Sequence, residues 1–173
     1  MSQSLRVGGY ELDEAIMSHV RRNHNMAIGQ PTAEQIKFEV GSACELREEI
    51  AADIRGRDLV TGLPKTVTLT SEEVREALAD PVDAIVQAVK QTLEITPAEL
   101  AGDIAVRGLT LAGGGALLQG FDERLRMETQ MPAYVADSPL TCVAIGAGQS
   151  LEEVDTLARG NGRSERALAG RAA

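Results

Sequence analysis

Residues 109–118 join an apolar strand pattern directly to a helix start through three consecutive glycines. Glycine accepts positive φ and lets a ligand approach the backbone closely, and the free N–H groups at a helix start favour anions. The segment therefore predicts a cradle for a phosphate or nucleotide, or else only a tight turn between strand and helix. It lacks the Gly-Lys-Ser/Thr ending of a Walker A loop and the full Rossmann glycine pattern, so both interpretations stay open on these residues alone.

The composition restricts how the core is built and what the surface binds. Of the 173 residues, 43% are hydrophobic but only 2% are aromatic, so the core must be aliphatic and stacking platforms for bases are few. The formal net charge of −9 argues against nucleic acid or an anionic membrane as the main partner, since both attract clustered lysine and arginine. We find no signal-peptide pattern and no apolar run of transmembrane length, which predicts a cytoplasmic protein without a direct membrane segment.

The cysteines and histidines show no metal signature. Cys44 and Cys142 are far apart and form no Cys-x-x-Cys pair, which predicts neither a zinc site nor a disulfide and fits a reducing compartment. His19 and His24 are five residues apart, whereas two ligands on one helix face are usually four apart. We expect these histidines to be solvated or to cap helices.

The first seventy residues show two helical patterns and then an alternating one. Apolar spacing predicts a helix over residues 11–24 and a second helix capped by Thr32. Glu34 and Lys37 share one edge of the second helix, where the simplest interpretation is a surface ion pair. Alternation on both sides of the turn residues 61–64 predicts an antiparallel hairpin. The inner face of the second helix is predicted to carry Ala33, Ile36, Val40 and Ala43.

Capping signals then recur. Thr70 and Glu73 have capping-box spacing, Asp80 and Pro81 restart the chain as cap and first helical residue, and residues 96–99 begin a short helix. After Asp103 the pattern alternates between strands, at 109–112 and 133–136, and helices, at 116–129 and 139–157. The last helix is predicted to be capped by Ser138 and to bury Leu140, Val143, Ala147, Leu151 and Val154. Beyond residue 159 no periodicity remains, which predicts disorder.

Eight short motifs, in the same order, resemble the MreB family of bacterial actin-like cell-shape proteins over about residues 5–155, a span of ordinary domain size. These motifs are RVGG at 6–9, LDEAI at 12–16, TAEQIK at 32–37, VGSA at 40–43, GLP at 62–64, PAEL at 97–100, GGG at 113–115 and PLTCVA at 139–144.

The resemblance implies an α/β fold of the actin-like type, within the actin, Hsp70 and sugar-kinase superfamily, and specifically its carboxy-terminal half. It divides the chain into a remnant of a lower-subdomain strand at 1–8, an intact upper subdomain at 9–103, an incomplete lower subdomain at 104–157 and a disordered tail at 158–173. The lower sheet is expected to lack strands that precede residue 1 in the family.

The resemblance also implies an ATP site, with Mg supplied together with the nucleotide in intact family members. In this shorter chain, ATP binding is expected to be weak or absent. The adenosine side is expected to use Glu34, Gln35, Ile36 and Lys37, because a carboxylate accepts from ribose hydroxyls and a lysine stem packs on a flat base. The loop under the nucleotide is expected to use Gly113, Gly114, Gly115, Ala116 and Leu117. This chain lacks the family's phosphate loops and the residue that positions the attacking water, so it is expected to have no catalytic residue and not to be an enzyme on its own.

The implied function is that of an ATP-binding filament subunit that directs peptidoglycan synthesis and rod shape, here in truncated form. Expected partners are MreB-type filament subunits and the cell-wall elongation machinery, through which the chain would associate with the membrane. One alternative is a non-catalytic interaction module that binds or caps full-length MreB filaments, since unpaired strands recruit partners. A different ATP-using enzyme of the superfamily is least favoured, because no candidate catalytic base accompanies the loop. A functional truncated paralogue, a split-gene product and a degenerate fragment all fit the sequence.

Overall fold

Three helices with apolar stripes form the main core. A computed structural model describes residues 1–152, in which the helices α1 (Gly9–His24), α2 (Gln30–Val40) and α3 (Ser71–Glu94) pack against one another. Their stripes repeat every three or four residues, as one buried helix face requires. The buried residues of the three stripes are Leu12, Ile16, Val20, Ala33, Ile36, Val40, Val74, Leu78, Val82 and Val86.

A three-stranded antiparallel sheet lies against these helices in the order β1 (Met26–Ala27), β2 (Ala51–Asp58) and β3 (Pro64–Thr70). Ile54 of β2 pairs with Val67, and alternation places Ile54 and Leu69 in the core. The hairpin predicted from the sequence is confirmed. Its turn requires glycine at Gly62, where φ is +76°.

A carboxylate holds that turn together. Asp58 Oδ1 accepts from the backbone N–H groups of Val60 and Thr61, both at 2.8 Å, and Lys65 Nζ lies 3.3 Å from Oδ2. The hydrogen bond from the Thr61 backbone is the largest effect that lowers the pKa of Asp58 from 3.8 to about 2. Because the folded pKa is the lower one, ionised Asp58 stabilises the fold above pH 3.8, and this contribution is lost as the pH falls to about 2.

The substitution Asp58→Asn is therefore expected to flatten the acid side of the stability profile. An amide keeps an acceptor for the turn but has no proton to take up as the pH falls. Urea unfolding at a series of acidic pH values measures the slope, with Asp80→Asn on the exposed surface of α3 as the matched control. Equal slopes for the wild type and Asp58→Asn would contradict the assignment.

The helix α3 continues through Pro81, so the predicted restart at Asp80 and Pro81 is wrong. Pro81 cannot donate to the carbonyl of Ala77, which costs about 3 kcal/mol in a helix interior. Val74, Leu78, Val82 and Val86 nevertheless lie on one face and are all buried, at about 1.5–3 kcal/mol each. Packing on both sides of the proline therefore outweighs the local penalty.

One of two predicted caps is confirmed and the other is wrong. Thr70 caps α3 as predicted, since its hydroxyl accepts from the N–H of Glu73 at 3.2 Å. The helix α2, however, begins at Gln30 with Gly29 at the N-cap and a proline in its first turn, so Thr32 lies inside the helix. Proline is pre-organised for a first helical turn, which explains the earlier start.

The second part of the molecule contains α4 (Ala98–Arg107), a two-stranded parallel sheet of β4 (Leu109–Leu111) and β5 (Ala133–Val135), and the helices α5 (Phe121–Thr129) and α6 (Cys142–Glu152). Both predicted strands are confirmed. The helix predicted over 116–129 is instead split into a 3-10 turn at Gly114–Leu117 and α5. Gly120 separates the two with φ of +71°, a conformation that an α-helix cannot contain.

The surroundings of α6 differ from the sequence-based expectation. Its predicted inner stripe is exposed in the structure, with Leu140, Val143 and Leu151 at 69%, 72% and 76%. None of the residues of α6 is buried by the described residues 1–152. Val154 and the end of the predicted helix, together with the predicted tail at 158–173, lie outside the described residues.

The structure can be compared with the predicted subdomain limits at residues 8 and 103. The helix α4 runs through residue 103 without a break, and residues 1–7 form neither helix nor strand although a strand remnant is predicted at 1–8. A strand needs a neighbour for its backbone groups, and the structure pairs residues 1–7 with none of the five named strands. No helix within residues 1–152 is long and apolar enough to cross a membrane.

Candidate functional site

A backbone bridge joins the segment after α2 to the segment after the glycine turn. Ser42, just after α2, forms a parallel bridge with Gln119, just after the glycine turn, and the N–H of Ala43 donates to the carbonyl of Gln119 at 2.8 Å. Cys44 lies against Gly120 at the same junction. Burial, followed by the charge of Glu123, raises the pKa of the Cys44 thiol above its ordinary value of 9.0, so the thiol stays protonated there.

The glycine turn contains more glycine than its fold requires. Gly113 has φ of +84°, and its N–H donates to the carbonyl of Pro139 at 2.7 Å, which sets the turn. Gly114 and Gly115 have no such positive φ; a Cβ on Gly115 would meet open space, and one on Gly114 would be 3.6 Å from Leu140 Cδ2. The positive φ therefore explains the glycine at Gly113, whereas neither φ nor a close contact requires glycine at the next two positions, and their backbone is open to an external group.

The last two residues of the predicted loop face in different directions. Ala116 is buried, whereas Leu117 is 49% exposed. Ala116 therefore anchors the 3-10 turn to the core, and Leu117 is the apolar side chain of the turn that an external group can touch.

The predicted residues of α2 also divide by exposure. Glu34 and Gln35 are exposed, and Gln35 Nε2 donates to Glu39 Oε1 at 2.7 Å. Ile36 is buried in the core, so its side chain supports the helix and cannot reach a ligand in the solvent. Of this set, Glu34 and Gln35 present polar groups directly at the surface.

Lys37 forms an ion pair different from the predicted one. Its Nζ donates to Asp13 Oδ1 at 2.7 Å and to the carbonyl of Gly9 at 3.2 Å, so the expected surface pair with Glu34 is not formed. Asp13 is 2% exposed and the side chain of Lys37 is 9% exposed. An isolated charge is costly at that depth, which is why the lysine reaches the buried carboxylate.

Sequence reasoning missed Asp13, although a signal was present. Asp13 lies three residues before Ile16 and seven before Val20, on the inward face of α1. An acidic residue on an apolar helix face is rarely buried without a partner. The pattern therefore indicated a buried cation but could not identify Lys37 as that cation.

The two histidines have a structural role that was not expected. His19 Nε2 lies 2.9 Å from Glu73 Oε1, and His24 Nε2 contacts the same oxygen, so neither histidine is merely solvated. Burial raises the pKa of Glu73, but hydrogen bonds from His24 and His19 outweigh it and keep that pKa below its ordinary value of 4.5. The two imidazoles converge on one carboxylate oxygen instead of surrounding an empty position. Within residues 1–152, no group of three or more histidine, cysteine, aspartate or glutamate side chains is arranged to hold a metal ion.

An apolar groove of about 830 Å³ opens beside β4, and we call it the β4 groove. It lies between the amino-terminal segment, α3, α4 and β4, and it reaches Gly115 and Ala116 at one end. Its walls include Leu5, Val7, Val89, Leu93, Ile104 and Thr110. Glu34, Gln35 and Lys37 do not line it. The groove is therefore a separate feature from the polar surface of α2.

Known proteins match this chain along most of its length. The family described as "MreB/Mbl protein" matches residues 1–159. The cell shape-determining protein MreB of Escherichia coli (strain K12) is 51% identical over 154 residues, which cover 89% of this chain and 44% of that protein. The cell shape-determining protein Mbl of Bacillus subtilis (strain 168) is 46% identical over 156 residues, which cover 90% of this chain and 47% of that protein.

A solved structure agrees with these matches. The crystal structure of MreB5 of Spiroplasma citri bound to ADP superposes with a TM-score of 0.86 at 38% identity, covering 91% of this chain and 48% of that one. The chain thus spans less than half the length of these relatives, and the fold is actin-like. With its sequence motifs, its fold and its relatives in agreement, the chain belongs to the MreB/Mbl family of cell shape-determining proteins.

Proposed function

We propose that this chain supplies the adenosine side of the nucleotide site of an MreB-type filament subunit, with ATP as the ligand. The observation that carries the proposal is the junction between α2 and the glycine turn, where Ser42 bridges to Gln119 and the backbone of Gly114 and Gly115 is open. The ADP held by the related MreB5 supports the choice of an adenine nucleotide. Mg would arrive with the nucleotide.

The exposed side chains then take different roles. Glu34 accepts from the ribose hydroxyls, and Gln35 offers a further amide beside it. The ammonium of Lys37 is held by Asp13 and the Gly9 carbonyl, and its side chain is only 9% exposed, so Lys37 supports the site through the contact between α1 and α2 instead of touching the base. The backbone of Gly113, Gly114 and Gly115 passes under the ligand next to Leu117, while Ile36 and Ala116 support the site from the core.

The first expected result is that adenosine and ATP bind with similar affinity and that ATP is not hydrolysed. The proposed contacts reach only the adenosine part, and phosphoryl transfer needs groups that hold the phosphates, the metal and the attacking water. Calorimetry with both ligands measures the two affinities, and a phosphate-release assay measures turnover. A ligand at about 100 times its dissociation constant should also raise stability by about 2.7 kcal/mol, which a thermal shift detects. Turnover above the buffer blank, or a strong preference for ATP, would contradict the proposal.

The second expected result is that Gly114→Val weakens adenosine binding at least about tenfold, a change of ~1.4 kcal/mol. The branched side chain would occupy the open approach path above the turn. Gly102→Val in α4 is the control, because the same new side chain meets open space there, away from the proposed site. Circular dichroism of both variants verifies folding, and unchanged affinity in a folded Gly114→Val protein would show that the loop is only a turn.

A second function is favoured by the exposed apolar surface of α6 and the short parallel sheet. In this form the chain is a non-catalytic module that binds or caps MreB filaments, and it reaches the cell-wall machinery and the membrane only through them. Head-to-tail filament contacts are heterologous, so a chain covering less than half of a subunit offers one contact surface without its complement. The chain is therefore expected not to polymerise alone.

Sedimentation of E. coli MreB with increasing amounts of this chain tests that form. We expect a dose-dependent shift from long to short filaments, and no pelleting of the chain by itself. The control is the same series with an unrelated acidic protein of similar size, which separates capping from a general effect of charge. Long filaments of the chain alone, or no effect on MreB at molar excess, would refute the module hypothesis.

A further inference from the structure

We infer that a second groove, on the outer side of α1, binds a short peptide segment of a partner protein in which apolar residues separate a carboxylate from a basic group. We call it the α1 groove, and it has a volume of about 470 Å³. None of the residues that line it lines the β4 groove or belongs to the proposed adenosine site. The inference therefore stands apart from the proposed function.

The α1 groove lies between one face of α1 and the strands β1 and β2. The residues of α1 that line it are three or four positions apart and so share one helix face, namely Glu14, Met17, Ser18 and Arg21. The antiparallel pairing of β1 with β2 places Ala27 beside Arg57, and both of these residues line the groove. The opposite face of α1 is buried in the core. The helix is therefore held in place, and its outer face forms a fixed wall.

Two arginines in this groove have no acidic partner. Arg21 and Arg57 are exposed, and within residues 1–152 neither forms an ion pair or a side-chain hydrogen bond. By contrast, Lys37, Lys65 and Arg75 each contact a carboxylate. Two guanidinium groups that line one groove raise the positive potential there, although the chain as a whole has a net charge of −9. A guanidinium offers paired donors that match a carboxylate, so this end of the groove favours an acidic group.

The remaining surface of the groove is partly apolar. Met17, Ile28 and Leu59 line it, and Leu59 is 42% exposed. A small inorganic anion would leave this apolar surface in contact with water, whereas an apolar side chain beside the carboxylate would cover it. A volume of about 470 Å³ is also within the range of ordinary ligand pockets. The groove therefore fits a peptide better than a free anion.

The position of Glu14 gives the groove a direction. Glu14 is seven residues before Arg21, which is about 10.5 Å along the helix. An extended peptide covers that distance in about three residues, at roughly 3.3 Å per residue. A wholly acidic segment would meet Glu14 unfavourably, so the fitting segment has its basic group at that end. A second copy of this chain would bring another net charge of −9, which opposes self-association and favours a different protein as the partner.

A set of synthetic peptides tests the inference without a change to the protein. Peptides of about eight residues carry Asp or Glu at the third position, apolar residues at the fourth and fifth, and Lys or Arg at the sixth. Fluorescence anisotropy with the full chain measures binding. We expect some of these peptides to bind, and their counterparts with Asn or Gln in place of the acid to bind at least about tenfold more weakly. If no peptide binds better than its amide counterpart, the inference is wrong.

Two pairs of arginine variants locate the site. We expect Arg21→Gln and Arg57→Gln each to weaken binding of the best peptide at least about tenfold, because each removes a charged donor. The matched controls are Arg22→Gln and Arg55→Gln, which make the same change at exposed arginines that do not line the groove. We expect both controls to stay within about twofold of the wild type. Circular dichroism verifies the fold of all four, and the amide peptides decide the question for any variant that does not fold.

Two further variants test the apolar surface and the direction. Leu59→Ser is expected to weaken binding several-fold, whereas Leu63→Ser in the same hairpin turn, at a residue that is 64% exposed and does not line the groove, is expected to have no effect. Glu14→Gln is expected to abolish the preference for Lys or Arg over Gln at the sixth peptide position. Retention of that preference would overturn the assigned direction.

Three other outcomes would overturn the inference. The control arginine variants could lose as much binding as the groove variants, which would indicate a general effect of charge. Inorganic phosphate at millimolar concentration could displace the peptide while changes to its apolar residues have no effect, which would indicate an anion site alone. Sedimentation velocity could show that Arg21→Gln changes the mass of the chain in solution, which would indicate contact between copies. Adenosine affinity is expected to be unchanged in every groove variant, so failure of the groove and failure of the proposed function can be told apart.

Discussion

Replacement of Asp13 by alanine is expected to lower the free energy of unfolding by about 3–5 kcal/mol. The change leaves the ammonium of Lys37 buried, with the carbonyl of Gly9 and the ring of Phe38, 5.2 Å away, as its remaining contacts. A desolvated cation without a carboxylate is costly, and α1 and α2 are joined by this pair next to the proposed site. Urea denaturation, followed by circular dichroism, measures the change.

Two controls show whether the cost comes from the unpaired charge. Asp122→Ala breaks the more exposed pair with Arg126 in α5 and is expected to cost less than about 1 kcal/mol. Lys37→Met in the Asp13→Ala background removes the orphaned charge and is expected to restore much of the loss, because an apolar pair of similar volume tolerates burial. If the double variant is as unstable as Asp13→Ala, the charge is not the cause.

Gly120→Ala is expected to destabilise the protein by about 2–4 kcal/mol, from two separate effects. A side chain is disfavoured at a φ of +71°, and the new Cβ would overlap Cys44 Sγ. Because this position joins the glycine turn to the segment after α2, we also expect weaker adenosine binding in the variant. Thermal and urea unfolding measure the stability, and calorimetry measures the affinity.

The variant Cys44→Ala separates the two effects. In that background the overlap is gone, and Gly120→Ala is expected to cost only about 1–2 kcal/mol, the penalty of the positive φ. Gly115→Ala is the matched control within the same turn, since its Cβ meets open space, and is expected to change stability by less than about 0.5 kcal/mol. An equal cost of Gly120→Ala with and without the cysteine would show that the contact with Sγ does not matter.

The elements that sequence predicts well here are those set by neighbouring residues. The hairpin of β2 and β3, the cap at Thr70 and the strands β4 and β5 all follow from local alternation or spacing, and the structure has them. Pro81 shows the limit of local reasoning. Its penalty is visible in the sequence, but the packing that outweighs it comes from helices far away along the chain.

The candidate site shows the same division. The glycine turn could be located from its own residues, because positive φ and an open backbone are local properties. The partner of Lys37 could not, because Asp13 is 24 residues away and only the packing of α1 on α2 brings the two together. The exposure of α6 was equally unpredictable. A periodic apolar stripe indicates that one face of a helix is stabilised by burial, but it does not show whether the described residues cover that face. The assignment of Glu34 and the glycines to adenosine stays a prediction.

The small junction at Ser42 and Gln119 has a consequence for the motions of the chain. Apart from Ala116, Phe121, Leu125 and Ala133, the buried hydrophobic residues of the described chain belong to the region of α1, α2, α3 and the hairpin. Because the part that contains β4 and β5 supplies few buried residues, we expect its amide hydrogens to exchange with solvent at a lower free energy of opening than the amides of the main core. Amides in α1 and α3 should exchange only through global unfolding. A nucleotide bound across the junction would slow exchange first in β4 and β5, so the less stable part of the protein would be the one whose motions report on the ligand.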